Sequence, residues 1–461
     1  MQMRRGVRNI IQMQDLPEWK ILLKLSWPVV VSMLVQSLYN FVDSIYLSRL
    51  GSQALSAISL SFVVQNFVAV FFTGLATGIN AVISRALGAG NVERARQTVF
   101  TGTVTYSAFS LVIMACSFWF IPMYFNGSSS DPDVAGYGIS YLLPCMSLVI
   151  LSSTQIVFER ILQSSGVSEY MLICQIIGCG LNVAIDPFFI FGFGPIPEMG
   201  IAGAAYATLL GQLAASIAAI LFNVKKNNLL FRKGHSSIGF DMKIAALICY
   251  IGIPSSAVGL ASSISGYFIN RILIGFSATA NAAFGIYAKL ENIAVVPGQG
   301  LAAGLVTLLA FFYGKRDFDR MRRAFVTGEI IIESWMVLCA LLFIFVPKLP
   351  LMPFDLSDDM IQLTVPAVQI VGSTYILSGL MIGLGSFYQA VGKSFYTLFV
   401  ALSRQLLVRI PIAFFLASFG TISLVWWCWP ISEVISDLVN VTFFRRVYRS
   451  TKKQLSIEQG D

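Results

Sequence analysis

The sequence predicts an all-α membrane protein in which twelve transmembrane helices form two pseudo-symmetric six-helix bundles, an N-lobe and a C-lobe. Three observations predict it. The 461 residues are 56% hydrophobic and 12% charged, about half the charged share of an ordinary soluble domain. Apolar stretches able to cross a hydrocarbon layer about 30 Å thick recur along the whole chain. The chain also matches itself without a gap when displaced by 226 positions, from Pro28 over Pro254 to Gly102 over Gly328.

The opening MQMRRGVRNIIQMQDLPEWK is basic and polar. It lacks the short apolar core and small-residue cleavage site of a signal peptide, so residues 1–20 are expected to be a retained cytosolic arm. Periodicity and turn signals then predict N-lobe spans at 21–48, 54–87, 97–122, 137–162, 167–191 and 200–223. NGSSSDPDVAG (126–136) and FGFGPIPEMG (191–200) are outer turns, rich in Gly, Pro and Ser and free of basic residues. NVKKNNLLFRKGHSSIGFD, residues 223–241, opens a polar cytosolic linker assigned to 223–243. The C-lobe spans follow at 244–275, 279–312, 324–347, 360–390, 394–418 and 421–445, with a cytosolic tail at 449–461. The expected domains are therefore 21–222 and 244–448. Several spans exceed what a bilayer needs, so tilt or protruding ends are expected.

Basic residues fix the orientation. Arg94, Arg96, Lys225, Lys226, Arg320, Arg322, Arg323, Arg445 and Arg446 fall on one side, against Arg49 and Lys348 on the other. Cytoplasmic loops retain Lys and Arg, which puts both termini on the cytosolic side of a cytoplasmic membrane. The net charge of +8 is thereby a topology signal, and nucleic acid is not an expected partner. All seven cysteines lie inside predicted spans and read as small apolar fillers.

Within the repeat Ala54 meets Ala280, Asn66 meets Asn292, Gly78 meets Gly304 and Arg94 meets Arg320; further on, Gln163 and Gly166 meet Gln389 and Gly392. Six crossings return the chain to its starting side, so the halves share one topology and are related by an axis along the membrane normal. Such a pair of bundles suggests a central cavity opening alternately to each side, the design of secondary transporters.

Buried charge must then be explained, because an ionisable group at mid-membrane costs about 2.5–3.5 kcal/mol on insertion scales. Asp43 lies near the outer end of helix 1, in YNFVDSIYLSRLG. Asn182 and Asp186, in LNVAIDPFFIFG, are four apart and share a face of helix 5. Thr208 falls about eight residues into helix 6, and at 1.5 Å per residue all four reach similar depth in the outer half of the N-lobe. Read singly, Asp186 with Pro187 could mark a kink, Asn182 could be interhelical glue, and Thr208 could bond its own backbone. As a set they read as a cation or proton site. At the repeat offset Asp43 falls on Ile269 and Asp186 on Ile412, or on Ile410 if the prolines Pro187 and Pro411 are aligned. The C-terminal half lacks the site, and that asymmetry favours function over packing.

Gln36, Tyr39 and Asp43 follow one face of helix 1 and offer a cavity wall, to which Tyr141 on helix 4 could add. Glu291, with Lys289 two residues away on a different face, is a further C-lobe charge. Arg271, Arg404 and Arg409 are expected to neutralise Glu333, Glu433 or Asp437, and Glu159 and Glu329 to be solvated near the cytosolic surface.

WPVVVSMLVQSLYNFVDSIYLSRLG, RALGAGNVERAR and LNVAIDPFFIFG, set in two six-helix halves over about 20–450, resemble the multidrug and toxic compound extrusion (MATE) family, and within it the DinF-like branch. The resemblance implies a coupling-cation site of Asp43, Asn182, Asp186 and Thr208, with the Ala204 carbonyl contributing, and places Gln36 and Tyr39 on the N-lobe cavity. The NorM-like branch uses acids on helices 7 and 10, which this chain lacks within those spans. The implied function is antiport: an organic, often cationic or amphiphilic compound leaves while H+ or Na+ enters. A carboxyl in a low-dielectric cavity can take a proton, or bind Na+ where enough oxygens converge. A lipid-linked oligosaccharide flippase of the same wider fold group is the alternative, with Arg271, Arg404 and Arg409 available for pyrophosphate.

No cofactor beyond the coupling ion, no enzymatic activity and a monomer in the bilayer are expected. QAVGKSF resembles a phosphate loop at GKS, but Phe387 occupies the place of its first glycine. The lone histidine, His235, lies in the linker, and no nucleophile–base pair or filter-like sequence supports an enzyme or a channel.

Overall fold

The computed structural model describes residues 16–128, 131–195, 197–231, 239–354 and 356–457. His235 and the first fifteen residues of the arm lie outside them. Among the described residues ten helices are long and apolar enough to cross a membrane, and two further spans are bent pairs. In chain order the twelve are α1 (Glu18–Ser48), α2 (Ser52–Gly88), α3 (Val92–Ser128), α4 (Pro132–Ser147 with Val149–Ser164), α5 (Ser168–Phe191), α6 (Gly200–Lys226), α7 (Met242–Phe276), α8 (Ala278–Gly314), α9 (Phe318–Phe345), α10 (Asp358–Gly372 with Tyr375–Ala390), α11 (Ser394–Ala417) and α12 (Cys428–Ile457).

The repeat is visible in the boundaries. α2 and α8 begin and end at matched positions, and so do the starts of α3 and α9. Asn91 and Asp317, matched in the repeat, each accept a backbone N–H three residues on, at 2.9 and 3.0 Å. A side-chain acceptor there satisfies one of the four free N–H groups of a helix start. The preceding residue is left-handed in both halves: Gly90 has φ 71° and its counterpart Arg316 φ 60°, so the second half holds a conformation that only glycine adopts freely.

α4 and α10, expected as continuous helices, bend by 48° and 45° at matched places, around Leu148 and Ser373–Thr374. Pro144 sits one turn before the first break. At the second, Ser373 and Thr374 turn their hydroxyls onto the carbonyls of Ile370 and Val371, which competes with the backbone ladder. Other ends also shift. α6 runs to Lys226 into the expected linker, and α12 runs on to Ile457 through much of the expected tail. RRVYRSTKKQLSI contains no Gly or Pro, and leaving the membrane does not by itself end a helix.

The chain forms two compact units, Trp27–Gly252 and, from the other half, Leu16–Ser26 with the described residues from Ile253 onward. The lobes expected at 21–222 and 244–448 thus exchange the first turns of α1 and α7. Glycines explain it in each unit. In unit 1 a Cβ on Gly78 of α2 would strike the Ile248 carbonyl of α7. In unit 2 one on its counterpart Gly304 of α8 would strike Ser26 of α1, whose hydroxyl donates to the Leu301 carbonyl at 3.3 Å. Missing side chains let the backbones close, which is how helices attract one another in lipid.

Two expectations about charge are corrected. Glu159 is 4% exposed and accepts from Gln155 at 2.9 Å, and both carboxylate oxygens of Glu329 are buried. Each lies far enough along its helix to be enclosed by neighbours before the chain reaches water.

Candidate functional site

In unit 1, α5 and α6 pack backbone to backbone. A Cβ on Gly211 would come 2.6 Å from the Gly178 carbonyl, one on Gly178 2.9 Å from Cβ of Ala215, and one on Gly203 would strike the Phe189 carbonyl. This contact brings Asn182 against Thr208. The Asn182 amide donates to Thr208 Oγ1 at 3.2 Å and, more weakly, to Asp186 Oδ1 at 3.5 Å. Tyr39 of α1 meets the same Thr208 hydroxyl at 3.4 Å.

Asp43, one turn beyond Tyr39, is 8% exposed, Asn182 3%, and Asp186 fully buried. Asp43 lies within electrostatic reach of Asp186, Tyr39 and Tyr141. Ala204, one turn before Thr208, is fully buried on the same helix. Gln36 is exposed and has no part in this hydrogen-bond group. Gln65 of α2, absent from the expected set, lies close to the side chains of Tyr141 and Cys145 beside Asp43. Its only signal in the sequence was an amide inside an apolar run.

Three oxygens in this group have no hydrogen-bond partner: Asp43 Oδ1, Asn182 Oδ1 and Asp186 Oδ2. Buried acceptors are normally satisfied, so oxygens left bare on three neighbouring side chains fit a positive guest. Carboxylate, amide and hydroxyl oxygens form a hard donor set suited to H+ or Na+. Among the described residues no group of three or more His, Cys, Asp or Glu is placed to hold a metal ion; the unit 1 group draws on two carboxylates with neutral oxygens.

Unit 2 handles the matched places differently. Ile269, the counterpart of Asp43, belongs to an apolar core with Trp426 and Trp429, and Ile412, the counterpart of Asp186 at the repeat offset, packs against it half-buried. The fold therefore tolerates hydrocarbon where unit 1 keeps acids. The expected cations of unit 2 are placed as follows. Arg404 and Arg409 both bind Glu433, at 2.9 and 3.1 Å, whereas Arg271 is exposed and makes no pair with Glu333 or Asp437. Glu291 faces Tyr287 and Arg409, and Lys289 is exposed. The two arginines converge because α11 contains a π-helical stretch, Ser403–Arg409. Residues five apart diverge on an α-helix of 3.6 residues per turn and come closer to alignment on the wider π turn.

The family described as MatE matches residues 28–188 and again residues 254–415, beginning both times at the repeat-matched prolines. The chain belongs to the MatE family. Relatives of this MatE chain include the FAD transporter of Shewanella oneidensis, 24% identical over 86% of this chain and 88% of its own length. The probable multidrug resistance protein YoeA of Bacillus subtilis is 24% identical over 95% of both chains. The probable multidrug resistance protein NorM of Thermotoga maritima is 22% identical over 98% of this chain and 95% of its own. Among solved structures, a MOP superfamily transporter from Pyrococcus furiosus aligns with a TM-score of 0.89 at 22% identity, over 98% of this chain and all of the other. The MatE chain is thus a multi-pass membrane transporter of that fold.

The α5–α6 contact gives a direct test of how the site is positioned. Gly211→Val places side-chain atoms against the Gly178 backbone, and overpacking of this kind costs about 1–3 kcal/mol. The variant is expected to melt several degrees lower in detergent and to lose transport through separation of Asn182 from Thr208. Wild-type melting and transport would mean that this contact does not position the site.

Proposed function

We propose that the chain is a secondary active multidrug efflux antiporter of the DinF-like branch. It exports organic, often cationic or amphiphilic compounds across the cytoplasmic membrane in exchange for H+ or Na+, acts as a monomer, and has both termini cytosolic. The observation that carries this reading is the set of bare oxygens on Asp43, Asn182 and Asp186 at a place where unit 2 has hydrocarbon. The names of the relatives in Bacillus and Thermotoga support the drug-export part.

A coupling ion works by differential affinity: it must favour one state of the transporter and the exported compound the other. H+ or Na+ would engage the oxygens of Asp43, Asn182, Asp186 and Thr208, with the Ala204 carbonyl and the hydroxyls of Tyr39 and Tyr141 close by and Gln36 further along the cavity wall. Flippase activity is less well supported, because Arg404 and Arg409, which a pyrophosphate would need, are engaged by Glu433.

The test uses purified protein in liposomes loaded with either a cationic dye or FAD, the latter because of the relative in Shewanella. Efflux is expected under an imposed proton or sodium gradient and should collapse when that gradient is dissipated. Transport indifferent to both gradients would refute antiport.

A further inference from the structure

A second group of acids lies in unit 2 and shares no residue with the unit 1 group. Glu329 and Glu333 are four apart on α9 and therefore share a face. That face is turned to α10, where a Cβ on Gly383 would collide with the Glu329 carboxylate and one on Gly379 with that of Glu333. Both oxygens of Glu329, Oε2 of Glu333 and both oxygens of Asp437 on α12 have no hydrogen-bond partner. Asp437 is only 6% exposed and lies within electrostatic reach of Glu329 and Glu333. It is thus an independent, enclosed and unsatisfied group directed at the α9 pair from another helix.

The charges facing the group decide what it does. Asp437 is approached by Glu433 on its own helix, by Arg404 on α11 and by Glu333 on α9. On α10, Tyr388 donates its hydroxyl to Asn440 one turn from Asp437, at 3.0 Å. Arg404 and Arg409 bind Glu433, and Glu291 also draws on Arg409. Arg409 is thus shared by Glu433 and Glu291 and Arg404 by Glu433 and Asp437, while the charges acting on Glu329 are the acids Glu333 and Asp437, so at least two of these carboxyls have no cation to neutralise them. An unpaired ion taken out of water costs several kcal/mol, and a bound proton removes that charge without needing a partner.

Depth supports exchange with one side. Glu329 lies six residues beyond Arg323, roughly 9 Å, and Asp437 eight residues before Arg445, roughly 12 Å, at the helical rise. Both are in the half nearest the basic turns. We propose that Glu329, Glu333 and Asp437 form a proton-binding site in unit 2, filled from the side that carries the basic turns and separate from the Asp43–Asp186 site. Each step is a transfer between water and a carboxylate oxygen, with no other bond made or broken.

The test does not depend on antiport. Full-length Asp43→Asn/Asp186→Asn protein is reconstituted in liposomes and its infrared spectrum followed through a pH titration in H2O and D2O. A protonated-carboxyl band that shifts in D2O and fades at alkaline pH is expected, losing one carboxyl's intensity with each of E329Q and E333Q. In wild-type protein, where nothing has been substituted, a hydrophobic carbodiimide is expected to label Glu329 or Glu333 at acid pH, as located by peptide mass spectrometry. The proposal is overturned if the band is absent or indifferent to E329Q and E333Q and the label is missing. It also fails if D437N changes only an ionised-carboxylate band, which would make Asp437 a fixed counter-ion of Arg404.

Discussion

Asp43→Asn is expected to abolish gradient-driven efflux while leaving the protein folded. Asparagine keeps the shape of the side chain and one carbonyl oxygen but removes the negative charge and the oxygen that binds a proton. Asp43 Oδ1 has no donor to lose, and only 8% of the residue is exposed, so the substitution breaks no hydrogen bond of the resting site. What it removes is an interaction with a positive guest. Such charged contacts are worth about 1.5–3 kcal/mol, or roughly 10- to 150-fold in occupancy. Efflux in liposomes under imposed H+ or Na+ gradients, compared with wild type at equal monodispersity, measures it. Coupling that survives the change would remove Asp43 from the mechanism.

Glu433→Gln is expected to produce the largest loss of stability. Glu433 is 2% exposed; Arg404 reaches both of its oxygens, at 2.9 and 3.1 Å, and Arg409 one, at 3.1 Å. Removing the carboxylate leaves two enclosed guanidiniums facing each other. Arg409 keeps Ser432 and Gln405, at 3.1 and 2.8 Å, and the face of Trp429. Arg404 keeps none of its bonded oxygens at full charge, and its Nε is already without a partner. Breaking one member of a buried ionic group costs about 3–5 kcal/mol. Thermal unfolding in detergent should register this as a clear fall in melting temperature. Replacing all three charges together, with Glu433→Leu, Arg404→Met and Arg409→Met, should recover most of it, because hydrocarbon of similar volume replaces a buried Arg–Glu–Arg triad at little cost. Equal melting of Glu433→Gln and wild type would mean that these charges are solvated.

Much of the candidate site was legible in the residues. Asp43, Asn182, Asp186 and Thr208 were picked out by type and depth, and they lie together in unit 1 with Tyr39 on the same hydroxyl. The contact that brings them together had a trace too: Gly203, Ala207, Gly211 and Ala215 recur every four residues along α6, the small-residue spacing that lets helices approach in lipid. Gln65 could not be found this way, since one amide in an apolar run carries no direction. Nor could the sequence pair Arg404 and Arg409 with one carboxylate, because α-helical spacing separates positions that the π-helical stretch aligns.

By itself the sequence determined the membrane class, the two repeated halves and the helix order. Composition, apolar run length and self-similarity are sums over many residues, and a few local exceptions cannot reverse them. Only the tertiary structure decided which half holds the first turns of α1 and α7, where α4 and α10 bend, and which buried acids have a cation and which have none. Those outcomes depend on single contacts between residues far apart in the chain, at distances of a few ångströms, where one missing Cβ or one extra residue in a helical turn determines whether two charges meet.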